Sequence, residues 1–204
     1  MNRSTSRLSR QPRRRFFIAT TCTALFLLSG LISECLARKP PAQRLKDGEV
    51  LTWVEELPNG DRFLRATVLI HAPLKVVWDT VRVARDANLR SSRIEQQVSP
   101  RESIVQEEYH LPVIGDVKCR RQIVEYPHER IEFKMLTSDK FKALDGRWVL
   151  TPATEGIYVE FWSLVRFAGW SPPRWIFESV GKGKIEKLVR GIKNAAEPHP
   201  HSKR

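Results

Sequence analysis

Ala66-Thr67-Val68-Leu69-Ile70-His71-Ala72-Pro73-Leu74-Lys75-Val76-Val77-Trp78 decides the fold, because the hydrophobic period changes inside it. From Arg62 to Ile70 the apolar side chains alternate. Leu64, Ala66, Val68 and Ile70 share one face, and Arg65 and Thr67 take the other. A period of two marks a half-buried strand. After Ala72-Pro73 the apolar residues Val77, Trp78, Val81 and Ala84 recur at helical spacing, with Lys75, Asp79, Arg82 and Arg85 elsewhere on the surface. Proline suits the first turn of that helix, where its missing N–H would have had no partner. A strand therefore runs straight into a short helix.

Upstream, residues 48–57 alternate weakly and end at the turn signal Pro58-Asn59-Gly60-Asp61. Downstream, the alternation predicts short strands over 94–98, 103–110, 117–125, 130–136, 141–151 and 156–167, each bounded by Pro, Gly or a polar gap. Successive hairpins make an antiparallel sheet. Ser171-Pro172-Pro173 opens the last element, with serine as its expected cap. Trp175, Ile176, Val180, Ile185, Leu188, Val189 and Ile192 mark one face of a long helix, which Gly181 and Gly183 should kink. No internal repeat is visible.

This order predicts an α+β helix-grip architecture: a curved antiparallel sheet wrapped on one long C-terminal helix. A bent sheet gripped by a single helix encloses a volume that side chains or a guest must fill.

Ala66 to Pro73 with Val76-Val77-Trp78, then Asp145-Gly146-Arg147-Trp148-Val149-Leu150-Thr151-Pro152, then the Pro172-Pro173 helix, together resemble the START-like superfamily. That superfamily includes the polyketide cyclase/dehydrase and coenzyme Q-binding groups. The resemblance covers residues 48–196 of 204. It implies a cavity between sheet and helix for a lipid, quinone, sterol or polyketide-like molecule, used for binding or transfer. The alternative it implies is a cyclase/dehydrase-type enzyme acting on a polyketide-like or aromatic substrate in the same cavity. It does not imply one chemistry, since one fold hosts many functions.

Strand parity puts Tyr109, Phe133, Met135, Trp148 and Phe161 on the cup side, opposite Glu108, Glu132, Lys134 and Glu160. Ile176, Val180, Ile185 and Leu188 of the last helix should face them. Apolar walls with a few polar groups suit a small-molecule site, although the same residues could simply pack a core. Tyr109 and Arg120 are the candidates to orient a polar head. Arg120 and Arg121 are neighbours on a strand, so they point to opposite faces and one of them can look into the cup. His110, Asp139 and Asp145 form no recognised catalytic arrangement, and there is no nucleophile elbow, phosphate loop or zinc spacing. No cofactor or metal is expected: His199 and His201 lie in a tail, and Cys119 sits mid-strand, where a thiol is inert.

The ends set the expected compartment. Arg13-Arg14-Arg15 precedes an apolar run from Phe16 to Ser33, and Cys35-Leu36-Ala37 follows. This is a positive n-region, an h-region and small residues that permit cleavage after Ala37. Arg13 to Phe17 resembles a twin-arginine export signal. Residues 1–37 are read as a signal peptide or an uncleaved membrane anchor, 38–47 as a linker, 48–196 as the domain and 197–204 as a disordered tail. Either way the domain is expected outside the cytoplasm, periplasmic or membrane-anchored. The formal charge is +12, and without the six arginines of residues 1–15 and Glu34 there remain 29 basic and 22 acidic residues. Such a surface favours an anionic membrane as partner. Nucleic acid is disfavoured, because the basic residues alternate with acids rather than forming a stripe.

Overall fold

The strand of 62–70 and the helix entered through Pro73 form as the period change requires. The structure is a computed structural model that describes residues 41–85, 89–111, 114–169 and 173–197. In chain order come α1 (Pro41–Lys46), β1 (Leu51–Glu56), β2 (Arg62–Ile70), α2 (Leu74–Ala84), β3 (Ser91–Ser99), β4 (Glu102–Leu111), β5 (Gly115–Tyr126), β6 (Arg130–Ser138), β7 (Phe141–Ala153) and β8 (Gly156–Phe167). The C-terminal helix has three parts: α3 (Arg174–Ile176), a π-helical turn (Phe177–Gly181) and α4 (Lys182–Ala196).

The strands form one antiparallel eight-stranded sheet in the order β1-β2-β8-β7-β6-β5-β4-β3. Most neighbours are hairpin partners. The exception is β2, which pairs with β8 in the register Leu64 to Ser163, Ala66 to Phe161 and Val68 to Val159. That long-range pairing folds the sheet into a cup. Ala66, Val68, Ile70, Ile131, Leu150, Ile157 and Val159 fill its closed end, under Val77, Trp78 and Val81 of α2 and Val189, Ile192 and Ala196 of α4. This end is solid.

The end of α4 is latched there. The Lys193 ammonium donates to the Leu69 carbonyl (2.8 Å) and to Glu197 Oε1 (2.6 Å), and the same oxygen accepts from the His71 N–H (2.8 Å).

Four sequence expectations change. Part of the stretch read as linker is helix α1, whose Leu45 is buried. The strand expected to stop at Pro152 continues to Ala153, because β6 has already ended beside it and no N–H is needed there. The long helix starts after Pro173, with no side-chain cap, and Ser171 lies outside the described residues. Trp175, expected on the buried face, is 62% exposed while Phe177 is buried. The π turn is the reason: a wider turn inserts residues into the 3.6-residue period and re-phases the helix on either side. It falls at Gly181, one of the two glycines expected to kink the helix; the other, Gly183, lies within α4. An added Cβ at Gly181 would sit 3.0 Å from Leu64 Cδ2, so glycine also permits the close approach. Residues 1–37, read as leader, and 198–204 of the tail lie outside the described residues.

Candidate functional site

The open end of the cup is not filled. A cavity of about 270 Å³ lies between the sheet and the start of the C-terminal helix. A water molecule's share of liquid is about 30 Å³, so the space is several times larger than a packing defect. The sheet makes room for it locally. β6 and β7 pair only from Arg130–Val149 to Phe133–Gly146 and then part. Beyond that point the Met135 N–H donates to the Asp145 carboxylate (2.9 Å) in place of a strand partner. Gly146 is required at the split. A Cβ there would lie 2.5 Å from Phe133 Cζ and closer still to the Trp162 carbonyl oxygen.

The cavity has an aromatic floor and an aromatic belt. Trp148 packs on Phe161 (4.5 Å between centroids), and Phe161 stacks with Phe133 (6.3 Å). Nearer the mouth, Tyr109, Phe141, Phe167 and Phe177 form a chain of ring contacts at 6.5, 4.8 and 5.9 Å. Ile176, Val180, Ile185 and Leu188 close the helix side, and His110, Leu111, Ile114 and Lys184 stand at the rim.

One wall is polar. On β5 the inward parity runs Val117, Cys119, Arg121, Ile123, and on β4 it runs Val105, Glu107, Tyr109. The Glu107 side chain is fully buried and pairs with Arg121, whose Nη2 donates to Oε1 at 2.6 Å. The guanidinium also lies 4.9 Å from the centre of the Phe133 ring. The Cys119 thiol reaches Glu107 Oε2 at 3.9 Å and the Tyr109 hydroxyl at 3.8 Å. Burial raises the pKa of the Tyr109 hydroxyl, helped by neighbouring Cys119, and burial likewise raises the Cys119 thiol. Burial pulls Arg121 down, but the Glu107 carboxylate more than reverses it, so its pKa is raised. Both Tyr109 and Cys119 therefore stay protonated, and Tyr109 can donate a hydrogen bond. Arg121 Nε is buried and has no hydrogen-bond partner among the described residues.

Of the expected site residues, Tyr109, Phe133, Trp148, Phe161, Ile176 and Val180 all line the cavity. Arg120 and Met135 do not. Arg120 has the outward parity of β5 and its Nε bonds Glu95 on β3 at 2.7 Å; its neighbour Arg121 is the arginine that enters. Met135 lies past the point where β6 and β7 part, beside a bulge in the β5–β6 ladder. Sequence reasoning missed Glu107, Phe141, Phe167, Phe177 and Lys184. Parity does carry Glu107, two residues from Tyr109, but a carboxylate reads as surface until its arginine is placed. Among the described residues no group of three His, Cys, Asp or Glu side chains could hold a metal.

No family model and no curated protein matches this sequence. Solved structures do match its shape. The STAR-related lipid transfer protein of Xanthomonas axonopodis is similar with a TM-score of 0.57 at 13% identity, over 78% of this chain and 95% of that one. The human StarD13 lipid transfer and protein localization domain gives 0.53 at 16%, over 85% and 98%. The Zhui aromatase/cyclase of a Streptomyces species gives 0.51 at 15%, over 66% and 93%.

The fold is the START-like helix-grip fold.

Two features of this helix-grip chain place its cavity. The closed end of the cup is packed by α2 and the second half of α4. The π turn and the parted β6–β7 ladder lie at the other end and leave it hollow.

Proposed function

We propose that the protein binds or transfers a hydrophobic small molecule in this cavity. The observation that carries the reading is the unfilled cavity itself, walled by Phe133, Phe141, Trp148, Phe161 and Phe177 with Tyr109 and Arg121 among its few polar groups. The Tyr109 hydroxyl, held protonated by burial, can donate a hydrogen bond to a guest oxygen, and the Arg121 guanidinium stands beside it. Glu107 already neutralises the guanidinium, so the oxygen it suits is uncharged: a carbonyl, quinone or hydroxyl. The lipid-transfer and aromatase/cyclase names of the similar structures accord with an apolar guest.

A hydrophobic species extracted in stoichiometric amount from the purified chain is the expected result. Val180→Trp should fill the cavity from its helix side and abolish uptake of the neutral dye Nile red, with circular dichroism showing the fold intact. Repeatedly empty protein that takes up no Nile red refutes the proposal.

A second reading, a cyclase/dehydrase-type enzyme, has one observation in its favour. His110 at the rim places Nδ1 2.7 Å from Asp116 Oδ1, which orients the ring as a base would need. Against it, no described lining residue is a carboxylate, and Tyr109 is held protonated. Carriage is the better-supported reading. Loss of guest conversion in His110→Gln with guest retention intact would restore the enzyme.

Residues 1–37 support export, with the domain periplasmic or anchored on the outer side of the membrane. Mass spectrometry of the mature N-terminus tests this: a start at Arg38 indicates cleavage, and an intact leader in the membrane fraction indicates an anchor. An anionic membrane surface suits the basic body and the exposed Trp175 near the rim, since tryptophan favours the membrane interface. Co-sedimentation with phosphatidylglycerol vesicles but not with phosphatidylcholine vesicles is expected.

A further inference from the structure

We infer that the guest is an acidic amphiphile, its apolar body in the cavity and its anionic head on the Lys184 ammonium at the mouth. This rests on the cavity being a carrier site, and it goes further by assigning the charge of the cargo.

Ile176, Val180 and Lys184 are spaced four apart and all line the cavity, so the lysine stem continues the apolar helix wall up to the rim. Among the described residues its ammonium has one hydrogen-bond partner, the His110 carbonyl at 3.5 Å. Among the described residues, carboxylates on the neighbouring elements have cationic partners of their own. Asp116 pairs with Arg90 (2.9 Å) and His110 (2.7 Å), Glu108 with Lys118 (2.8 Å), and Glu178 with Arg174 (2.7 Å). Lys184 is therefore a cation at the mouth with no anion among the described residues, and burial alone lowers its pKa. An apolar wall ending in an uncompensated cation matches a chain ending in an anion.

The two basic groups of the site thus ask for different things. Arg121, deeper in the wall and neutralised by Glu107, suits an uncharged oxygen. Lys184, at the rim and unneutralised, suits a carboxylate or phosphate.

The test is displacement of Nile red from the purified full chain at pH 7, below micelle-forming concentrations, by dodecanoate and by 1-dodecanol. Wild type should bind the acid tighter than the alcohol by on the order of tenfold, the size of one charge-assisted hydrogen bond. Lys184→Met should lose that preference, and Lys184→Arg should retain it. Equal displacement by the two chains in wild type, failure of both to displace bound Nile red, or a preference that survives in Lys184→Met, each overturns the assignment. Failure of Nile red itself to bind removes the carrier reading first, and this inference with it.

Discussion

Glu107 and Arg121 allow the sharpest test of the cavity wall. The Glu107 side chain is 0% exposed and that of Arg121 13%. Glu107→Ala leaves a buried guanidinium that cannot shed its proton. Removing one partner of a buried pair costs about 3–5 kcal/mol. For a domain of this size each kcal/mol moves Tm by about 2–4 °C, so a fall of roughly 10 °C is expected. Arg121→Met strands the carboxylate instead, and a carboxylate can neutralise itself. Arg121→Met should therefore look milder at pH 5 than at pH 8, and Glu107→Ala should show no such relief. Glu107→Leu with Arg121→Met removes both charges and should return to within about 1 kcal/mol of wild type. It should still bind Nile red but lose guests that need a hydrogen bond. Thermal melts of the four proteins at both pH values decide it. A Glu107→Ala melt within about 2 °C of wild type, or a double variant as damaged as the sum of the singles, would refute the buried pair.

Three further outcomes follow from particular contacts. Gly146→Ala should cost more than about 3 kcal/mol, because the new methyl meets rigid backbone as well as the Phe133 ring, and urea unfolding reads it. Gly183→Ala has nothing within 4 Å of the added methyl and lies in an exposed stretch of α4, so it should stabilise by about 0.5–1 kcal/mol in the same assay. Glu197→Gln probes the α4 latch. Burial opposes the charge of Glu197, but Lys193 and the His71 N–H outweigh it and lower its pKa. A lowered carboxylate contributes stability that is full above its unfolded pKa and lost as pH falls through the folded one. Wild type should thus lose stability below about pH 4.5 more steeply than Glu197→Gln, and parallel curves would exclude the latch.

The sequence alone determined the strands, α2 and the C-terminal helix, because each rests on a local period. Alternation at 62–70, the switch at Pro73 and the hairpin spacing need only neighbouring residues, so the strands, the order of elements and the inward set Tyr109, Phe133, Trp148 and Phe161 were all legible. Even Gly181 announced the break in the last helix. Tertiary structure alone decided which of two adjacent arginines enters the cup, since parity says they oppose each other but not which face is inside. It alone brought β2 to β8, nearly a hundred residues away, and parted β6 from β7 so that Met135 left the wall. It also gave Lys184 its meaning, because no local pattern shows which carboxylates are paired elsewhere once the chain has folded. Periodicity is a local property of the chain, whereas enclosure and charge compensation belong to side chains that meet only after it has folded.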